Sequence, residues 1–159
     1  NSFNTGSRVM ATTIKKQLIF TQLSTQLARI LKSNGFYSDL GKKVTEAKVN
    51  PFGANRVDGI DFIEANEDIK QMSEAMEWED SWLTVEIKFV SVNAVSMATA
   101  RTYEADIRSA LQYDDSLAGL LLEMEHVNTK FVKEQDGDVV IGGKLTVRFE
   151  FTAAKLSES

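Results

Sequence analysis

His126 is the only histidine in the chain, and Glu123 precedes it by three positions. A Glu-x-x-His on a helix can supply ligands to a di-iron site, but such sites draw one copy from each of two helices. This chain has a single copy, on a segment whose pattern reads as extended, so His126 is expected to be structural. Asp58 and Asp61 place two carboxylates beside a turn. A calcium loop needs more oxygen ligands in fixed register, closed by a bidentate acid. That register is missing, and turn-forming aspartate is the preferred reading. Glu64, Glu67, Asp68, Glu74, Glu77, Glu79 and Asp80 make residues 64–80 acidic. Glycoside hydrolysis would need two of these carboxyls held across a sugar-binding cleft. Closeness in sequence does not provide that, and a solvated or partner-facing acidic surface fits better. Gly142-Gly143 lacks the Lys-Ser/Thr and the helix that follow a phosphate loop. A serine triad would have to run through His126, and no serine sits in a nucleophile elbow. No catalytic, cofactor or metal residue is therefore assigned. The expected role is assembly with other proteins, not catalysis.

Length and composition frame that expectation. The 159 residues suit one domain with one core. Residues 10–155 are taken as that single domain. Residues 1–9 are polar and aperiodic and read as an expression remnant ahead of Met10; residues 156–159 read as a disordered tail. With 43% hydrophobic residues there is enough apolar side chain to offset the entropy of ordering. The absence of cysteine excludes disulfides, thiolate metal sites and cysteine nucleophiles, and it suits a reducing compartment. No apolar run is long enough to span a bilayer, and the start lacks a secretory layout, so a cytoplasmic origin with no membrane partner is expected. The net charge of −5, with Lys15-Lys16 and Lys42-Lys43 as the only adjacent basic pairs, argues against a broad grip on nucleic acid.

Periodicity gives the elements. Thr12 or Thr13 can cap a first helix, along which Ile14, Leu18, Leu23, Leu27, Ile30 and Leu31 recur at near-helical spacing. Lys15, Lys16, Gln22, Gln26 and Lys32 fall mainly on its other face, and Asn34-Gly35 supplies the stop. Residues 44–49 and 60–65 read as short strands, separated by a breaker-rich loop at 50–59. Ile60 and Phe62 would share a face. Residues 66–80 fit a loop, a short helix or a long strand extension. Trp78 and Trp82 are either core residues or interface anchors. Residues 83–92 predict a strand: Leu83, Val85, Ile87 and Phe89 alternate with Thr84, Glu86 and Lys88, and the apolar Val90 and Val92 then fall on the opposite face. Ser96 can cap a second helix over 97–113, with Ala100, Tyr103, Ile107, Ala110 and Leu111 as its buried stripe. Residues 122–133 and 139–151 read as a strand pair joined at Asp136-Gly137, with a bulge near His126 and a kink or bulge at Gly142-Gly143. The order predicts an α+β fold, a mostly antiparallel or mixed sheet with two main helices packed on one face.

Several phrases carry a family likeness. The helix holds Tyr103-Glu-Ala-Asp-Ile-Arg108-Ser-Ala-Leu111, followed by Asp115-Ser-Leu-Ala-Gly-Leu120. The last strand reads Gly142-Gly-Lys-Leu-Thr-Val-Arg-Phe-Glu-Phe151. The opening helix leads into Asn34-Gly-Phe-Tyr-Ser-Asp-Leu-Gly41. In this order they resemble the tail terminator and tail completion proteins of long-tailed bacteriophages and prophages, over most of residues 10–155. The resemblance implies a structural virion protein assembled in the bacterial cytoplasm. It would form a ring with copies of itself, usually a hexamer, at the head-proximal end of the tail. Its partners would be the tail tube protein and a head-completion or connector protein, with DNA passing through the channel without sequence-specific binding. No cofactor is implied. Another morphogenesis part, a head–tail connector or minor tail protein, is the alternative, and a small cellular binding module a further one. Contacts are expected from Pro51, Phe52 and Arg56, from Trp78 and Glu79, and from Asp136 and Asp138.

Overall fold

Alternation decides the central strand. In a computed structural model that describes residues 12–47, 58–72, 78–92, 96–136 and 138–154, strand β3 runs Trp78–Val92 at the centre of a sheet. Leu83, Val85, Ile87 and Phe89 point one way and are buried. On one side β3 pairs antiparallel with β2 (Gly59–Met72) and on the other with β5 (Asp138–Ala154). β5 pairs antiparallel with β4 (Glu123–Asp136), and the short β1 (Val44–Glu46) lies parallel to β2. The order β1-β2-β3-β5-β4 makes a mixed five-stranded sheet.

Helices α1 (Thr12–Leu27) and α2 (Met97–Tyr113) cover one face. Ile19, Phe20, Leu23 and Leu27 of α1 and Ala100, Ile107, Ala110 and Leu111 of α2 join Ile60, Phe62, Leu83, Val85, Ile87, Leu145, Val147, Phe149 and Phe151 in one core. Phe20 stacks on Phe62 with ring centres 5.8 Å apart. The predicted α+β architecture, with both helices on one face, is the observed one.

Several local expectations need correction. α1 stops at Leu27, and Ile30 is buried from an irregular segment beyond it. Gly35 does end a helical turn, but the 3₁₀ turn Lys32–Asn34, with Gly35 at φ 92°. Ile14 and Leu18 stand exposed, so the buried stripe is rotated onto Ile19, Phe20 and Leu23. Gln26, expected on the polar face, is only 1% exposed. Its amide donates to the carbonyls of Ala110 at 2.9 Å, Leu111 at 3.3 Å and Asp114 at 2.9 Å. These lie at the C-terminal end of α2, where carbonyls lack helical partners. One polar side chain of α1 thus closes the end of α2.

Ser96 occupies the N-cap position of α2 as expected, but its side chain makes no capping bond. The ambiguous acidic stretch is strand on both sides of residues 73–77: β2 runs on to Met72, and β3 begins at Trp78. The bulge near His126 is present, between His126 and Asn128. Gly142 and Gly143 mark no bulge, since both keep register with β3 and β4. They are there for space: a Cβ on Gly142 would lie 2.4 Å from the Phe89 carbonyl oxygen, and one on Gly143 would lie 2.7 Å from the Phe89 ring. That ring packs edge-on against Phe131, 6.3 Å away.

Candidate functional site

The chemically suggestive residues separate once the strands form. Glu123 and His126 lie on a strand, where positions three apart face opposite ways. His126 shares the helix-side row with Val147, and Glu123 the other side with Glu150. His126 Nε2 lies 2.8 Å from Thr129 Oγ1, which donates to Glu104 at 2.7 Å. Asp58 accepts from the Val92 amide at 2.8 Å and from the Tyr103 hydroxyl. Asp61 accepts from Thr45 Oγ1 at 2.5 Å. Burial first, and then the Asp58 carboxylate, push the Tyr103 phenol up to about 12. Glu64 and Glu67 both reach Lys16, at 2.7 and 2.5 Å. Burial acts to lower the Lys16 pKa, but the hydrogen bonds and charges of the two glutamates outweigh it and hold the ammonium above its ordinary value. Thr129, Asp58, Asp61, Glu64 and Glu67 each tie one segment to another, while His126 bonds within its own strand. Among the described residues, no group of three or more His, Asp or Glu side chains could hold a metal ion. Nor is any helix there long and apolar enough to cross a membrane.

A cleft of about 210 Å³ lies between α2 and β4, lined by Arg108, Leu111, Gln112, Asp115, Met124, His126 and Val147. Arg108 lies 3.7 Å from Glu104 at its rim. The cleft offers a small apolar floor under an ionic edge.

The larger feature is the sheet face on which no described helix packs. Lys88, Lys144 and Lys130 form one row across β3, β5 and β4, with Asp61 at its β2 end. Lys144 Nζ lies 3.4 Å from Glu86. The Arg148 guanidinium sits 4.5 Å over the Trp82 ring and 3.7 Å from Glu125. Thr152 donates to Asp80. Trp82 is therefore a partly buried residue of the open face, under an arginine.

The fold has a solved counterpart. It is similar to a chain of the "Virion of native gene transfer agent (GTA) particle", with a TM-score of 0.54 and 16% sequence identity, over 85% of this chain and 98% of that one. No protein-family model matches the sequence, and no curated protein matches it. At that identity the likeness is one of fold.

The residues expected at contacts fall in three places. Pro51, Phe52 and Arg56 lie outside the described residues. Trp78 and Glu79 open β3, paired with Ala154 and Ala153, and Glu79 is 8% exposed. Asp136 and Asp138 pair with each other where β4 turns into β5. The last two sets sit at opposite ends of β5, on the order of 50 Å apart at ~3.3 Å per residue. Contacts from loops and sheet edges were expected, but sequence patterning singled out neither the face opposite the helices nor which strands would be the edges. The alternation of Thr84, Glu86 and Lys88 with apolar residues was visible, but which strands would lie beside it was not.

Proposed function

We propose that this chain is a structural part of a phage-like particle, and within it a tail terminator. It would close into a ring with copies of itself, usually hexameric in that family, at the head-proximal end of the tail tube. There it would stop tube growth and offer the head its docking surface. The observation that carries this is the fold likeness to a gene transfer agent virion chain, spanning nearly all of that chain. The family phrases at residues 34–41, 103–111, 115–120 and 142–151 add the finer assignment. In this role the chain acts by heterologous contact that closes on itself and needs no catalytic group. The segment holding Pro51, Phe52 and Arg56, the start of β3, and the β4–β5 turn are proposed to contribute contacts.

The test is to add the purified chain to growing tail tubes of the phage or prophage that encodes it, and to image the ends by electron microscopy. The expected result is tubes of fixed length bearing a collar at one end. Tubes that grow unchanged, while the chain binds portal-bearing heads, would replace the terminator with a head–tail connector.

A further inference from the structure

Among the described residues the sheet ends in two edges that no strand fully covers. The inner side of β4 pairs with β5 along its whole length, and among the described residues no strand pairs with its outer side. β1 covers β2 only at Ile60, Asp61 and Phe62, so the outer side of β2 from Ile63 to Met72 has no strand partner among the described residues. Unpaired edges invite another chain and are normally blunted by charges or bulges. β4 has a bulge and lysines, yet Val127, Phe131 and Val132 are 46%, 37% and 49% exposed on it. Ile69 on β2 is 57% exposed.

Direction and charge fit these edges to each other. From β2 through β3 and β5 to β4 every neighbour is antiparallel, so β4 runs opposite to β2. A second copy set beside the first, without being turned over, brings its β2 antiparallel to β4. Lys133 lies on the helix side of β4 and Lys130 on the open side, in rows with Ile141 and Lys144. Glu64 lies on the helix side of β2 and Asp68 on the open side, in rows with Val85 and Trp82. With Lys133 opposite Glu64, the bulge between Glu64 and Asn66 brings Val132 to Asn66, Phe131 to Glu67, Lys130 to Asp68 and Thr129 to Ile69. Every pair then shares a face, as cross-strand neighbours must. An unstaggered placement would set Asp68 level with Glu123, acid against acid. Charge thus selects a stagger, which strands closing around an axis also require.

We infer that β4 of one copy docks antiparallel on the outer segment of β2 of the next copy, with Lys133 opposite Glu64 and Lys130 opposite Asp68. This rests on the ring proposed above and names its contact. Pairing β4 with β4 across a two-fold also sets acid against base, but it leaves the β2 edge open.

The chain has no cysteine, so a pair can be introduced cleanly. Cross-strand Cα atoms about 5 Å apart fall within disulfide reach. Lys130 and Asp68 are both exposed. The variant carrying Lys130→Cys and Asp68→Cys should give a ladder of multimers on mild oxidation, lost on reduction. Neither single variant should cross-link alone, while a mixture of the two should give dimers only. Lys130→Glu should lower the mass seen by light scattering, and adding Asp68→Lys in the same chain should restore it. Dimers from Lys130→Cys alone would mean that β4 pairs with itself and would overturn the inference, as would the absence of any ladder. A ladder without tube capping would remove the tail role and leave the contact; capping without a ladder would do the reverse.

Discussion

Gln26 shows how one side chain can carry two elements. It is the buried amide of α1 that closes the carbonyl end of α2. Gln26→Leu would leave those carbonyls short of a donor, at a cost of ~1–3 kcal/mol. Urea unfolding should show a lower midpoint with an unchanged slope. Ser81 is the opposite case: its hydroxyl is buried and has no hydrogen-bond partner among the described residues. Ser81→Ala should therefore leave stability unchanged or raise it, and a clear loss would mean that the hydroxyl has a partner after all. Tyr103 sets a pH dependence. Its phenol is raised from 10.0 to about 12 by burial and by Asp58. The unfolded chain gives up this proton near 10, while the folded chain keeps it. The stability Tyr103 contributes is thus complete below pH 10 and is lost as pH rises through about 12. Between those values Tyr103→Phe should lose stability less steeply than the parent chain.

At the scale of elements, close approach matters as much as periodicity. Gly142 and Gly143 let β5 lie against Phe89 without a side chain between them. Gly142→Ala would force a methyl into the Phe89 carbonyl and should cost ~1–3 kcal/mol, as overpacking does. Thermal unfolding would show it, and an unchanged midpoint would mean that the strands can part there at no cost. The polar turn after α2 is set by Asp114, which accepts from the Ser116 hydroxyl at 2.6 Å, the Ser116 amide at 3.0 Å and the Ala118 amide at 2.8 Å. Those bonds, the Ser116 hydroxyl first, hold its carboxyl below the usual range. They also support Leu117 and Ala118 at φ 46° and 60°, a conformation that L-residues seldom adopt.

At the scale of the whole molecule, the described residues form a sheet with helices on one face and two edges that no described strand fully covers. Net charge of −5 disfavours crowding of copies, so association must come from local complementarity. If Lys130 and Lys133 of one copy meet Asp68 and Glu64 of the next, added salt should screen the contact. Light scattering at fixed protein concentration should then show mass falling as ionic strength rises. Mass independent of salt would point to an apolar contact instead, with Val132, Phe131 and Ile69 as its first suspects.

The sequence by itself determined the elements whose pattern is local. Leu83 to Phe89 and Leu145 to Phe151 alternate, and both sets are buried together because a pleated strand offers only two faces. The bounds of α2 and the bulge near His126 were legible for the same reason. What only tertiary structure decided was anything that needs a distant partner. Gln26 reads as surface until α2 lies beside it, and Gly142 reads as a bend until Phe89 is its neighbour. Residues 66–72 and 78–80 of the acidic stretch became strand because neighbouring strands gave their backbone a ladder that no local propensity could supply. The two edges exist only once the strand order is known, since pairing, not composition, determines which backbone groups are left open.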